Sequence, residues 1–219
     1  MEWTLSVVIC LVASILIGYL LGSLNFAIII TKLFAHDDIR KHGSGNAGLT
    51  NVLRTLGKGP ASLTLLGDFS KGIVSVLIAR LLFWLLTGSS DVILGDYFAV
   101  YGALLGHVFP LYYGFKGGKG ILVSFGALMI LSPIAALICF SGFLLCVIFT
   151  RYVSLGSVVA GAIFPFSIIL MNYLNSGSIT YEVFLTLPIT GLIIYMHRTN
   201  IIRLLSHTES KLSFSKKEK

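Results

Sequence analysis

Residues 121–150 read ILVSFGALMILSPIAALICFSGFLLCVIFT, 30 residues without a charge between Lys119 and Arg151. How this stretch is read decides the fold. As one tilted helix it crosses a bilayer once; as two helices broken near Ser132-Pro133 it crosses twice. Proline removes a backbone donor and clashes with the preceding turn, yet kinked membrane helices are common enough that the local signal does not choose. The charges around the stretch do.

The segment from Lys32 to Lys58 holds Lys32, Arg40, Lys41, Arg54 and Lys58; Lys116 and Lys119 lie before the ambiguous stretch, Arg151 after it, and six basic residues from Arg198 onward. The segments around Glu2, from Gly88 to Asp96 and from Asn175 to Glu182 hold four acids and no Lys or Arg. A single crossing between Lys119 and Arg151 would put Arg151 and the C-terminal basic residues outside, against the positive-inside rule. Two crossings keep every basic connection in the cytoplasm. Added to the apolar runs Trp3–Phe34, Ala61–Thr87, Val92–Tyr113, Ser154–Tyr173 and Tyr181–Met196, they predict an all-α, polytopic bundle. It has seven transmembrane helices, the N-terminus outside and the C-terminus cytoplasmic. Each of the pair would have about 16 residues, short for a bilayer core of about 30 Å.

Composition agrees. Of 219 residues, 56% are hydrophobic and only 11% charged, and the mean hydropathy is +0.92, against about a quarter charged in a soluble domain. Disorder, a nucleic-acid-binding domain and a disulfide scaffold are excluded. The net charge of +7 serves topology and anionic headgroups. Cys10, Cys139 and Cys146 sit within apolar runs and read as packing residues. No Lys or Arg precedes Lys32, so the first run lacks the basic start of a cleaved leader and reads as a retained helix.

This topology brings three polar segments to the cytoplasmic face. The first runs from Arg40 to Asn51, RKHGSGNAGLTN, with Arg54, and its glycine run from Gly43 is rich in hydroxyls and amides. Such a run can turn backbone N–H groups toward an anion, most simply phosphate, although an ordinary loop uses the same residues. Residues 114–120, GFKGGKG, add Lys116 and Lys119 among glycines. Neither is a Walker A loop, which disfavours a nucleotide triphosphatase. In the third, His197, Asn200 and Arg203 follow one another at helical spacing. Asp68 and Lys71 lie three residues apart inside an apolar run, as a mutual ion pair or as part of a site. His107 is a weaker candidate of the same kind, and Arg80 has no evident partner in the sequence.

Taken in order, Gly22-Ser23, GSGNAGLTNVLR at 43–54, GDFSKG at 67–72, GHVFPLYYGFKGGKG at 106–120, RYVSLGS at 151–157 and HRTNIIRL at 197–204 followed by Glu209 resemble the bacterial acyl-phosphate:glycerol-3-phosphate acyltransferases. These polytopic membrane enzymes of phospholipid synthesis make lysophosphatidic acid. The resemblance covers nearly the whole chain and implies seven helices with a cytoplasmic active site in the bacterial inner membrane. It makes 1–205 a single membrane acyltransferase domain and 206–219 a basic cytoplasmic tail. The family usually has Ala where Leu49 stands, often Pro where Asn25 stands and Gly where His207 stands.

The resemblance also assigns roles. Ser44, Gly45, Asn46, Thr50, Asn51 and Arg54 would bind phosphate, with Lys116, Gly117, Gly118 and Lys119 completing the anion site and Ser23, Asp68, Lys71 and Arg203 among the substrate-binding residues. His197, Asn200, Ser44 and Lys119 would carry catalysis. The implied reaction moves an acyl group from acyl phosphate to the sn-1 hydroxyl of glycerol 3-phosphate, releasing phosphate. Acyl phosphate is a mixed anhydride, already activated, so no protein nucleophile is needed. His197 or a substrate phosphate oxygen takes the proton, the phosphate being favoured because nearby cations oppose a protonated His197. None of the five histidines (36, 42, 107, 197 and 207) is followed by Asp at the fifth position, the pair used by thioester-dependent acyltransferases. No cofactor is implied. The partners are the two substrates and the bilayer, with docking of a soluble acyl-phosphate-producing enzyme left open. The competing class is a membrane transporter of an organic phosphate, which should carry polar residues along several helices and an internal repeat.

Overall fold

The computed structural model describes residues 5–89 and 93–212. The readings that rest on Glu2, Trp3, Asp91, Val92 and the lysines beyond Leu212 lie outside them. The described residues form ten α-helices and two 3-10 turns, with no strand among them. They fall into two compact units, one up to Leu131 and one from Ser132.

The first unit holds α1 (Leu5–Gly22), α2 (Phe26–Ala35), α3 (Leu49–Leu56), α4 (Lys58–Thr87), α5 (Ile93–Val108) and α6 (Ile121–Leu131). The second holds α7 (Pro133–Thr150), α8 (Val153–Ser176), α9 (Glu182–Met196) and α10 (Arg198–Leu205). Four stretches are long and apolar enough to cross a membrane: Leu5–Ala35, α4, α7 and α8. The α5, α6 and α9 helices are shorter. Exposed Phe149, Phe166 and Phe184 suit a lipid surround.

The break expected in 121–150 is present, but its halves are unequal: α6 has 11 residues and α7 has 18. Ser132 is extended (φ −153°, ψ 90°) and Pro133 opens α7, at the first helical position, where its missing N–H is not needed. A second break was not expected. The run Trp3–Phe34, read as one helix, stops at Gly22 and restarts at Phe26. Asn25 caps the restart, its side chain accepting a hydrogen bond from Ile28 N at 3.1 Å. Lys71 Nζ donates to the Gly22 and Leu24 carbonyls at 2.9 and 2.8 Å. Apolar periodicity does not register a gap whose carbonyls are satisfied by a residue 47 positions away.

Small residues let α1 and α5 touch backbone to backbone. A Cβ on Gly22 would collide with Ala103, and one on Gly106 with the Tyr19 carbonyl. Gly18 and Gly22, like Gly102 and Gly106, are four residues apart, the close-approach spacing of membrane helix pairs. Nor is Arg80 isolated: its Nη2 lies 2.7 Å from Asp96 Oδ2 and 3.2 Å from the Ile130 carbonyl. That pair joins α4, α5 and the end of α6.

Candidate active site

The first glycine segment of the first unit is organised by one amide. Asn51, buried in the first turn of α3, donates from Nδ2 to the carbonyls of Ile39, His42 and Asn46 at 3.1, 2.9 and 3.1 Å. Its Oδ1 accepts from Ser44 N at 3.1 Å. Gly43 and Gly45 take left-handed φ of 55° and 71°, which glycine adopts without steric cost. Asn51 therefore ties the loop together through four hydrogen bonds. The expected cradle of backbone N–H groups is also altered, because Ser44 N is held by Asn51 and Gly45 N donates to His42 O at 3.0 Å. What the loop presents is side chains: Ser44 and Arg54 are exposed, Asn46 and Thr50 half-buried. Leu49 packs on the cluster of Ile28, Ile39 and Val52, so its added bulk enters the core.

The second glycine segment folds back on α5. Gly117 N and Gly118 N donate to the Val108 and His107 carbonyls at 3.0 and 3.1 Å, satisfying the helix's last acceptors. Gly118 has no room for a side chain: a Cβ there would collide with His107 Nε2 and the Ala47 carbonyl. The two glycine segments are therefore in contact. Asn25 Nδ2 reaches the same Ala47 carbonyl at 3.4 Å, and Arg40 bonds the second segment directly.

Below them lies a buried knot. Lys71 Nζ sits 2.8 Å from Asp68 Oδ1 and 3.0 Å from His107 Nδ1, besides its two carbonyls. Asp68, Lys71 and His107 are all buried, and their bonds run to each other and to the break between α1 and α2. The bonds of Lys71 thus tie α4 to the break and to α5, while Asp68 Oδ2 is buried without a hydrogen-bond partner. Ser23 is likewise occupied, its Oγ donating to Tyr19 O at 2.8 Å and accepting from Leu111 N at 3.2 Å.

In the second unit, His197 joins α9 to α10. Its Nδ1 lies 2.8 Å from the Ile193 carbonyl, a pure acceptor, so Nδ1 carries the proton and the lone pair of the neutral ring is on Nε2. Asn200 Nδ2 donates to Glu209 Oε1 at 2.7 Å, Ser154 Oγ to the same oxygen at 2.6 Å, and Arg203 Nε to Oε2 at 2.6 Å. Burial pushes the Glu209 carboxyl up, but the donors Ser154, Arg203 and Asn200 outweigh it and hold its pKa below the ordinary value. Glu209 thus orients Asn200 and Arg203, and the start of the tail is held with it, Leu212 N donating to Arg151 O at 2.8 Å. His207, two residues before Glu209, has φ 58°, a backbone conformation that glycine adopts at less cost. The residues to which the sequence reading assigns no site role are Asn25, Ser154 and Arg40, although Arg40 opens the first polar segment. No group of three or more His, Cys, Asp or Glu among the described residues is placed to hold a metal ion.

The family model described as glycerol-3-phosphate acyltransferase matches residues 12–207. The chain belongs to the glycerol-3-phosphate acyltransferase family. A glycerol-3-phosphate acyltransferase of Clostridioides difficile (strain 630) is 43% identical over 200 residues, covering 91% of this chain and 94% of its own. One from Shouchella clausii (strain KSM-K16) is 40% identical over 205 residues, covering 94% and 97%. The crystal structure of PlsY, an integral membrane glycerol 3-phosphate acyltransferase, in its glycerol 3-phosphate form superposes with a TM-score of 0.79 at 37% identity. That match covers 93% of this chain and 96% of that one. Its lysophosphatidic acid form gives 0.77 at 35% identity, covering 93% and 95%. The chain is accordingly an integral membrane acyltransferase, and phospholipid synthesis follows from the family.

Proposed function

We propose that this acyltransferase moves a fatty acyl group from acyl phosphate to the sn-1 hydroxyl of glycerol 3-phosphate, forming lysophosphatidic acid and inorganic phosphate. The reading includes seven crossings, the N-terminus outside, and reaction at the cytoplasmic face of the bacterial inner membrane. The observation that carries it is the contact of two glycine segments, one bearing Ser44 and Arg54 and the other Lys116 and Lys119, at Gly118 and Ala47. A relative whose solved forms are named for glycerol 3-phosphate and lysophosphatidic acid supports substrate and product.

In the first unit, Ser44, Asn46, Thr50, Arg54, Lys116 and Lys119 hold phosphate. Their cationic charge offsets the mutual repulsion of two phosphate-bearing substrates, and the pre-set geometry removes orientation entropy from the reaction. In the second unit, taken by itself, His197 has an acceptor lone pair on Nε2 and the Asn200 amide is oriented by Glu209, groups of the kind that suit a hydroxyl. The hydroxyl oxygen forms a bond to the acyl carbon, the bond from that carbon to the phosphate oxygen breaks, and phosphate departs with the electron pair. The hydroxyl proton ends on the phosphate. Charge stabilisation of the developing oxyanion falls to Lys119 and Ser44.

Purified protein in sealed vesicles, given acyl phosphate and labelled glycerol 3-phosphate, should form labelled lysophosphatidic acid without CoA or carrier protein. Movement of labelled organic phosphate across the vesicle wall with no acyl transfer would overturn the reading in favour of a transporter.

A further inference from the structure

Arg40 stands in the 3-10 turn Ile39–Lys41 that leads into the first glycine segment. Its guanidinium is engaged by protein groups on three nitrogens. Nε lies 3.0 Å from Asp38 Oδ1 and Nη2 2.7 Å from Asp38 Oδ2, a two-pronged pairing that lysine cannot reproduce. Nη1 donates to two carbonyls of the second segment, Tyr113 O at 2.7 Å and Lys116 O at 3.0 Å. The Arg40 fork holds the Asp38 carboxyl below its ordinary pKa against the opposing effect of burial, which keeps the pair charged.

The two carbonyls flank Gly114 and Phe115, both left-handed, with φ of 66° and 58°. Phe115 pays a steric cost there that glycine would not. The reversal points the Tyr113 and Lys116 carbonyls at the same nitrogen, so Arg40 closes the tip of the second segment. The root of Arg40 is fixed as well: Arg40 N donates to Asp38 Oδ1 at 3.0 Å, and the neighbouring Ile39 and His42 carbonyls are held by Asn51. Beside the close approach of Gly118 to the Ala47 carbonyl, Arg40 is thus a side-chain tie between the loop that carries Ser44 and the loop that carries Lys116.

We infer that Arg40 is a positioning residue for phosphate binding, a strap that presents Lys116 through Lys119 to substrate phosphate in register with the first glycine segment. The inference rests on the acyl-transfer reading for what is bound, and on the contacts above for the strap itself. Asp38 serves as the counter-charge that holds the fork in this orientation.

The test is Arg40→Lys, which keeps the charge but loses the fork, in purified protein in lipid with each substrate varied in turn. KM for at least one phosphate substrate should rise about tenfold or more, with kcat within about threefold, as expected when binding geometry and not the chemical step is disturbed. Amide hydrogen exchange over residues 113–119 should also quicken while the helices keep their protection. KM values for both substrates within about twofold of wild type overturn the strap, whatever the change in kcat. Where Arg40→Lys does not fold, Asp38→Asn takes its place, since its side-chain oxygen can still cap the turn. A rise in either KM supports the strap, and unchanged KM values overturn it. A wild-type protein that makes no lysophosphatidic acid defeats the acyl-transfer reading, and the exchange measurement then decides the strap separately: quickened exchange upholds it, and unchanged exchange overturns it.

Discussion

Asp68 in α4 and Glu209 beyond α10 are both carboxylates with buried side chains beside a cationic one, Lys71 in the first case and Arg203 in the second. Their networks end on different partners. From Asp68 the bonds run through Lys71 to the Gly22 and Leu24 carbonyls, which are main-chain groups at a helix break. From Glu209 they run to Ser154, Asn200 and Arg203, which are side chains, two of them with roles proposed here. Buried charge in a membrane protein commonly marks function, but the difference between these clusters refines that rule. The first network ties a helix break to α4 and to His107; the second sets the direction of Asn200 and Arg203.

The most severe way to break the first cluster is Lys71→Met. It takes from Asp68 its ammonium partner, leaving only His107 Nδ1 at 3.5 Å and Phe26 N at 3.4 Å, and leaves the carbonyls at the break unsatisfied; losing one partner of a buried pair costs about 3–5 kcal/mol. Folded protein recovered in detergent should fall sharply, and Asp68→Asn added to it should restore part of the yield. Good yield with only a raised KM would place Lys71 with the ligand instead.

In the second unit the chemistry should suffer before the fold. His197→Ala should lower turnover at saturating substrates with folded yield retained. A loss of about 10²–10⁴ marks His197 as general base, and less than about tenfold leaves a phosphate oxygen in that role and His197 only an orienting group. Glu209→Gln comes next. It weakens the charge-assisted bonds to Asn200 and Arg203, and turnover should fall about tenfold, since small misplacements near a reacting group can cost as much as about 100-fold.

The smallest effect is in pH dependence. The pKa of Glu209 is lowered in the folded state from an ordinary value of 4.5. Its contribution to stability is therefore fully present above that value and lost as pH falls through the depressed folded value. Thermal unfolding followed from neutral to acid pH should show wild type losing more stability below that point than Glu209→Gln. Parallel curves would remove Glu209 from the account.

Much of this was legible from residue order. The helical class, the break at Ser132-Pro133 and the membership of the family follow from apolar runs, charge placement and the order of the glycine motifs. The break at Ser23–Asn25 was not legible, because what permits it is a lysine 47 residues on. Asp68 and Lys71 were visible as a pair three residues apart, but whether they served a ligand or the scaffold depended on carbonyls in another helix. The same holds for Asn51: its type and position suggested phosphate, and only its four loop contacts show that its amide is already engaged. Motif spacing identifies which side chains matter; it does not say where their hydrogen bonds end.

The central claim is that the acyl donor is a phosphate anhydride, and the most direct measurement counts products. Purified protein given acyl phosphate and glycerol 3-phosphate in lipid should release one inorganic phosphate for each lysophosphatidic acid formed, and acyl-CoA in place of acyl phosphate should give no product. Lysophosphatidic acid formed from acyl-CoA, or formed without matching release of phosphate, would contradict it.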